Sequence, residues 1–185
     1  LAVNLAGYFA RRGRRVLLSD LDPQRSALDW LARRPAQLPL IHPWDGSGSL
    51  PLEPQVVIID SPAALEQGRL KSAVKHVDRV VVPVQPSPLD IEASGRFLET
   101  LLELKKVRKG KVPVALVGNR VDPRTVSARE LEGFLGRLEL PLLGLLRESQ
   151  LYVHTAREGS TLFDLPRYRV IRDLNQWRGI LAWLD

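Results

Sequence analysis

The stretch Val16-Leu17-Leu18-Ser19-Asp20-Leu21-Asp22-Pro23 decides the fold. An apolar run that ends in carboxylates reads as a buried parallel strand delivering its charges at its carboxyl end, the edge where open α/β sheets bind ligands. Pro23 stops the strand and turns the chain outward. Asp20 and Asp22 are expected to face opposite ways and so to divide the work. One holds structure or metal-bound water while the other faces a substrate.

Outward from this stretch the pattern repeats. Val56 to Asp60 is a second apolar strand ending in an acid, Arg79 to Val84 a third strand, ended by Pro83 and Pro86, and Val112 to Val117 and Leu142 to Leu146 are two more. Leu38 to Ile41 reads as a short strand and Pro43 to Pro54 as a loop. Between them lie helical patterns. Leu1, Leu5, Tyr8 and Phe9 mark an amphipathic helix to Arg12, with Gly13 at its C-terminal cap. Ser26 to Arg34 and Arg69 to His76 follow. Ser87-Pro88 caps a long helix to about Val107, Ser127 and Glu130 form a capping box, and Gln150 to Glu158 and Val170 to Leu184 close the chain. Strands alternating with helices predict a doubly wound, mostly parallel sheet with helices on both faces. Its active edge gathers Asp20, Asp22, Asp60, Pro86, Ser87, Asn119 and Arg120. Taken singly, each of these acids is better explained as a turn former or helix cap; their combination carries the functional reading.

Composition narrows the function classes. The chain has 185 residues and no cysteine, which excludes disulfides, thiolate metal sites and Cys-ligated iron–sulfur clusters. A single domain is expected at this length. The histidines at 42, 76 and 154 have no metal-ligand spacing. A formal charge of +6 suits a polyanionic partner such as DNA. The basic run from Lys105 to Lys111 is accounted for by the helix dipole and by solubility.

In order and spacing, VLLSDLDPQRSALDW, VVIIDSPA, DRVVVPVQPSPLDIEA and VGNRVDPRT resemble the ParA/MinD family of deviant Walker ATPases. The resemblance implies a P-loop NTPase fold, ATP or ADP with Mg²⁺, and an ATP-bound homodimer. It also implies non-specific DNA and a ParB-like stimulating protein as partners, in a bacterial cytoplasm on the nucleoid. By the same resemblance Asp22 orients the attacking water, Asp60 holds a Mg²⁺-bound water, and Ser61 to Ala64 form a switch. Asp20, Asn119 and Arg120 fall to nucleotide binding and Arg147 and Arg157 to DNA.

The family's phosphate loop, K-G-G-V-G-K-T-T, belongs immediately before the helix at Leu1, and no segment of the 185 residues matches it. Residues 1–185 by themselves are therefore expected to start after the first strand and loop, to bind nucleotide very weakly and to be inactive. Two alternatives carry the same motifs: a nucleotide-incompetent binding module, and a MinD-like membrane-associated ATPase or one that matures a metalloenzyme. The last helix is too poor in cations over its final turns for an anionic membrane, and core packing is its expected role.

Overall fold

A computed structural model describes residues 1–45, 53–62 and 66–185. Contacts divide the chain into two compact units, Leu1–Pro62 with Ser149–Leu174, and Ala63–Glu148 with Asn175–Asp185. Each is built on a parallel three-stranded sheet with helices packed on it.

In the first unit, β1 (Val16–Asp20) lies between β2 (His42–Trp44) and β3 (Val56–Asp60). Every residue of β1 is buried, which is why it reads as an unbroken apolar run rather than an alternating one. The short strand begins at His42, after the expected Leu38 to Ile41. Residues 35–39 form a turn instead, where Leu38 N–H donates to Pro35 O and Arg34 Nε to Pro39 O. Pro43 is tolerated because β2 is an edge strand. The remainder of the expected 43–54 loop lies largely outside the described residues.

Helix α1 (Ala2–Arg11) packs on β1 and β3 and ends at Gly13, whose φ of +75° is the left-handed cap conformation its position predicts. Its Asn4 carboxamide accepts the Leu162 N–H at 3.2 Å, tying in a 3-10 turn at Leu162–Asp164. Helix α2 (Ser26–Ala32) is joined to the same segment by a buried ion pair. Arg34 reaches Asp164 Oδ2 at 3.1 Å, with both side chains at most 5% exposed.

In the second unit, β5 (Val114–Val121) is flanked by β4 (Val80–Val84) and β6 (Leu142–Arg147). Pro83 lies inside β4 rather than ending it; among the described residues β4 is an edge strand paired with β5, a position where a missing N–H is tolerated. Helices α3 (Gln67–Val74), α4 (Pro88–Glu103) and α6 (Val126–Arg137) contribute Leu70, Leu98, Leu101, Leu131 and Leu135 to one apolar cluster with Val82, Val84 and Leu116.

Ser87 caps α4 as expected, accepting the Asp90 N–H at 3.2 Å with Pro88 in the first turn. The helix does not run to Val107. Leu104 turns extended (ψ 131°) and the short α5 (Lys105–Arg108) restarts, a break invisible to periodicity because Leu104 and Val107 keep helical spacing across it. The cap of α6 is Thr125, which accepts the Ala128 N–H. The expected Ser127/Glu130 box is displaced because the Thr125 N–H and hydroxyl both donate to Asp122 O, starting the turn earlier.

After α7 (Gln150–Arg157), the long α8 (Arg167–Leu184) begins in the first unit and ends in the second. Val170, Trp177 and Ile180 are fully buried, so its apolar stripe is core. Among the described residues no helix is long and apolar enough to cross a membrane. Backbones touch where α8 meets β6. A Cβ on Gly144 would stand 2.8 Å from Gln176 O, and one on Gly179 would overlap Leu143 O. Gly179→Ala gains about 1 kcal/mol of helix propensity but forces a strand carbonyl to move, an overpacking cost of about 1–3 kcal/mol or more. Urea unfolding should show a net loss. Gly133→Ala, at an α6 site with no atom near the added Cβ, should instead stabilise by about 0.5–1 kcal/mol.

Candidate functional site

Parallel pairing in register brings the acids together in the first unit. Val16 sits opposite Val56 and, four pairs on, Asp20 opposite Asp60, so two adjacent strands end on carboxylates side by side. Asp20 is buried, and both its oxygens are engaged by backbone: Oδ1 accepts the Asp22 N–H at 2.9 Å and Oδ2 the Ala27 N–H at 2.8 Å. It thereby closes the turn after β1 and caps α2, whose own N-cap residue, Arg25, supplies no side-chain bond. Arg25 holds a left-handed φ of 52°, a conformation costing a non-glycine residue about 1–3 kcal/mol.

Asp22 is half-buried in this turn. One oxygen accepts the Gln24 N–H at 2.9 Å, which fixes the rotamer, and the other makes no hydrogen bond with the described residues. The two aspartates differ in their hydrogen bonding, but not through the strand alternation expected from sequence. Residues two apart on a strand share a face; here the strand stops at Asp20, and the turn separates the roles.

Asp60 is the electrostatically stressed member. Burial raises its pKa above the ordinary 3.8, and the Asp20 and Asp22 carboxylates add to the rise. Hard oxygen donors at one strand edge suit a cation such as Mg²⁺. Among the described residues no group of three or more histidines and acids stands close enough together to hold a metal ion. Pro62 and Ser61 follow Asp60; the rest of the expected switch, at 63–64, lies outside the described residues.

Asn119, Arg120 and Arg147 belong to the carboxyl ends of the second unit's strands. Asn119 and Arg120 occupy a bulge where the β5–β6 register shifts, and Arg120 has a left-handed φ of 57°. The Asn119 side chain makes no hydrogen bond with the described residues, while Arg120 reaches Glu148 at 3.5 Å with both side chains more than half exposed. Next to them Arg124 clasps the Asp122 carboxylate at 2.7 and 2.9 Å, holding its pKa down at about 2. Arg147 ends β6, its backbone N–H on Gln176 Oε1, and Arg157 ends α7, exposed, in the first unit. Sequence reading missed two features. Ser19, in the central strand of the first unit's sheet, has a buried hydroxyl without a hydrogen-bond partner among the described residues, and Arg25 is left-handed. A serine in an apolar run was the only signal for the first, and nothing in the sequence marks the second.

With this geometry in place, comparison with known proteins identifies the family. Residues 1–162 match the CobQ/CobB/MinD/ParA nucleotide binding domain, and the chain belongs to that family. It is 30% identical over 175 residues to the maintenance of carboxysome distribution protein A of Halothiobacillus neapolitanus, spanning 89% of this chain and 80% of the relative. It is 33% identical over 174 residues to the chromosome-partitioning ATPase Soj of Thermus thermophilus, spanning 72% and 68% respectively. The fold superposes with a TM-score of 0.72 on a plasmid partition protein of Borrelia burgdorferi bound to AMPPNP, at 17% identity, covering 98% of this chain and 91% of that one.

A raised carboxylate pKa means that the folded protein holds a proton more tightly than the unfolded chain. Asp60 therefore contributes stability below pH 3.8 that is lost as pH rises through its folded value. Asp60→Asn, without Mg²⁺ or nucleotide, should raise Tm at pH 7 and lose that advantage as pH falls below 3.8. A thermal melt series across pH 3–8 reads this directly.

Proposed function

We propose that this protein is a ParA-like positioning ATPase, in which an ATP-bound homodimer holds DNA without sequence preference and hydrolysis releases it. The observation that carries the reading is the pairing of Asp20 with Asp60 beside an Asp22 that keeps one oxygen unengaged. Asp60 would face Mg²⁺ through water, and the ion would supply charge neutralisation on the β- and γ-phosphates. Asp22 has its rotamer set by Gln24, so its second oxygen can accept a hydrogen bond from a water and orient it for attack. Asp20 works one step removed, holding the turn that places Asp22. Asn119, with its amide uncommitted, reads the adenine edge. The named activities of the relatives support ATP hydrolysis in partitioning or carboxysome distribution. A ParB-like stimulating partner is inferred from the family resemblance alone.

In the hydrolysis-competent protein, Asp22→Ala should lower kcat by roughly a hundredfold or more, with nucleotide affinity and dimerisation retained, as for loss of an orienting group. Steady-state phosphate release alongside nucleotide titration checks this, and wild-type turnover would remove Asp22 from the role. On the DNA side, Arg147→Ala with Arg157→Ala should weaken binding to every duplex equally and flatten the salt slope by about 1.8, because phosphate contacts carry no sequence information. Titrations of two unrelated duplexes across a salt series measure it.

A further inference from the structure

Helix α2 is apolar on two sides. Ala27 and Trp30 turn one side into the core at 2% exposure each, whereas Leu28, Leu31 and Ala32, spaced to share a second face, line a cavity of about 570 Å³. The opposite wall comes from the chain between α2 and β2, with Leu38, Leu40 and Ile41 among its side chains. That wall is preformed. Pro35, Pro39 and Pro43 stiffen its backbone, and the Leu38 N–H on Pro35 O and Arg34 Nε on Pro39 O, both at 3.0 Å, hold the turn between them. The volume is that of a small-molecule site rather than of a packing defect.

What the walls carry selects the occupant. Apart from two arginines every lining residue is apolar, and none brings an acid, a hydroxyl or a carboxamide. The Arg34 charge is already matched by Asp164. Arg25 differs: it is exposed, and its guanidinium makes no hydrogen bond or ion pair with the described residues. Its left-handed backbone is one that glycine would adopt without cost, so the guanidinium is held at the cavity against a backbone penalty. An anion is the group it lacks. A nucleotide or a sugar would bring polar groups that these walls cannot satisfy, and a peptide would bring a backbone N–H and C=O with every residue. An unbranched hydrocarbon chain with a single anionic end meets both the apolar walls and the one free cation.

We propose that this cavity binds a free single-chain carboxylate, with its alkyl chain between α2 and the 35–43 segment and its head on Arg25. The lining shares no residue with the acid-bearing edge, and the proposal does not rest on the ATPase reading. The Arg25 N–H donates to Asp22 O at 2.9 Å, which puts the head group beside the turn that carries Asp22.

Isothermal titration calorimetry of residues 1–185 with sodium decanoate, below micelle formation and at about pH 8 where a carboxylic acid is ionised, tests this. One decanoate should bind per chain with a Kd of roughly 10–100 µM, about what a dozen buried heavy atoms supply. Decyltrimethylammonium, with the same chain and the opposite charge, should bind about tenfold more weakly or worse, and acetate, the head without the chain, should show no saturable heat. Arg25→Gly should raise the decanoate Kd about tenfold while melting no lower than wild type, because glycine takes the left-handed φ freely and the loss is then not one of folding. Arg25→Lys, which keeps the charge, should bind like wild type. Leu40→Glu, at a rim side chain 69% exposed, should weaken decanoate by adding like charge at the mouth. Equal affinity for decanoate and decyltrimethylammonium would overturn the proposal, as would wild-type affinity in Arg25→Gly or the absence of saturable decanoate binding. A blocked, leucine-rich acidic peptide that binds where decanoate does not would overturn it in favour of a protein-docking groove.

Discussion

A single carboxylate organises the acid-bearing edge of the first unit. Asp20 is buried at the end of the central strand of its sheet, and each oxygen accepts a backbone N–H, one from the turn that carries Asp22 and one from the first turn of α2. Hydrogen bonds to a charged group are worth about 1.5–3 kcal/mol each, and a buried acceptor left unmade costs its full desolvation. The same two bonds position Asp22 and start the helix behind it. Arg25 can therefore sit in an unfavourable left-handed conformation at the helix entry, because the surrounding bonds over-determine it.

Parallel strands make the rest of the electrostatic plan unavoidable. When every strand of a sheet runs the same way, residues just past each strand collect at one edge and residues just before each strand at the other. Here Asp20 and Asp60 end their strands, whereas Arg14 and Arg15 lead into β1 and Lys111 leads towards β5. Burial at the acid-bearing edge, with the like charge of Asp20 and Asp22 added to it, is why Asp60 resists ionisation. That resistance is what a bound cation would relieve.

Much of this was legible because the signals are local. Fully buried strands read as apolar runs, Ser87-Pro88 marked the start of α4, and Gly13 marked the end of α1. Acids at strand ends, with the DLDP and NRVDP segments, were enough to name the candidate carboxylates and Asn119. The misses share a cause: they depend on partners far away in sequence or on turn geometry that periodicity does not encode. The α4–α5 break keeps hydrophobic spacing across Leu104. The cap of α6 moved to Thr125 because of a carbonyl three residues earlier. Pro83 looked like a terminator, and only the strand order shows that β4 is an edge strand among the described residues, where proline is tolerated. The part Asp20 plays needed Ala27, seven residues on, to be seen.

The Arg34–Asp164 pair joins positions 130 residues apart, and both compact units are assembled from two separate stretches of chain. Such connectivity sets the order of events during synthesis. Contacts this distant close only after a long loop has been ordered, which slows folding relative to local pairing. On the ribosome, the earlier stretch of the first unit must wait, with α2 and its apolar side uncovered, until the segment beyond Ser149 has emerged. Over that interval it presents unpartnered surface, the condition under which chaperone capture competes with folding.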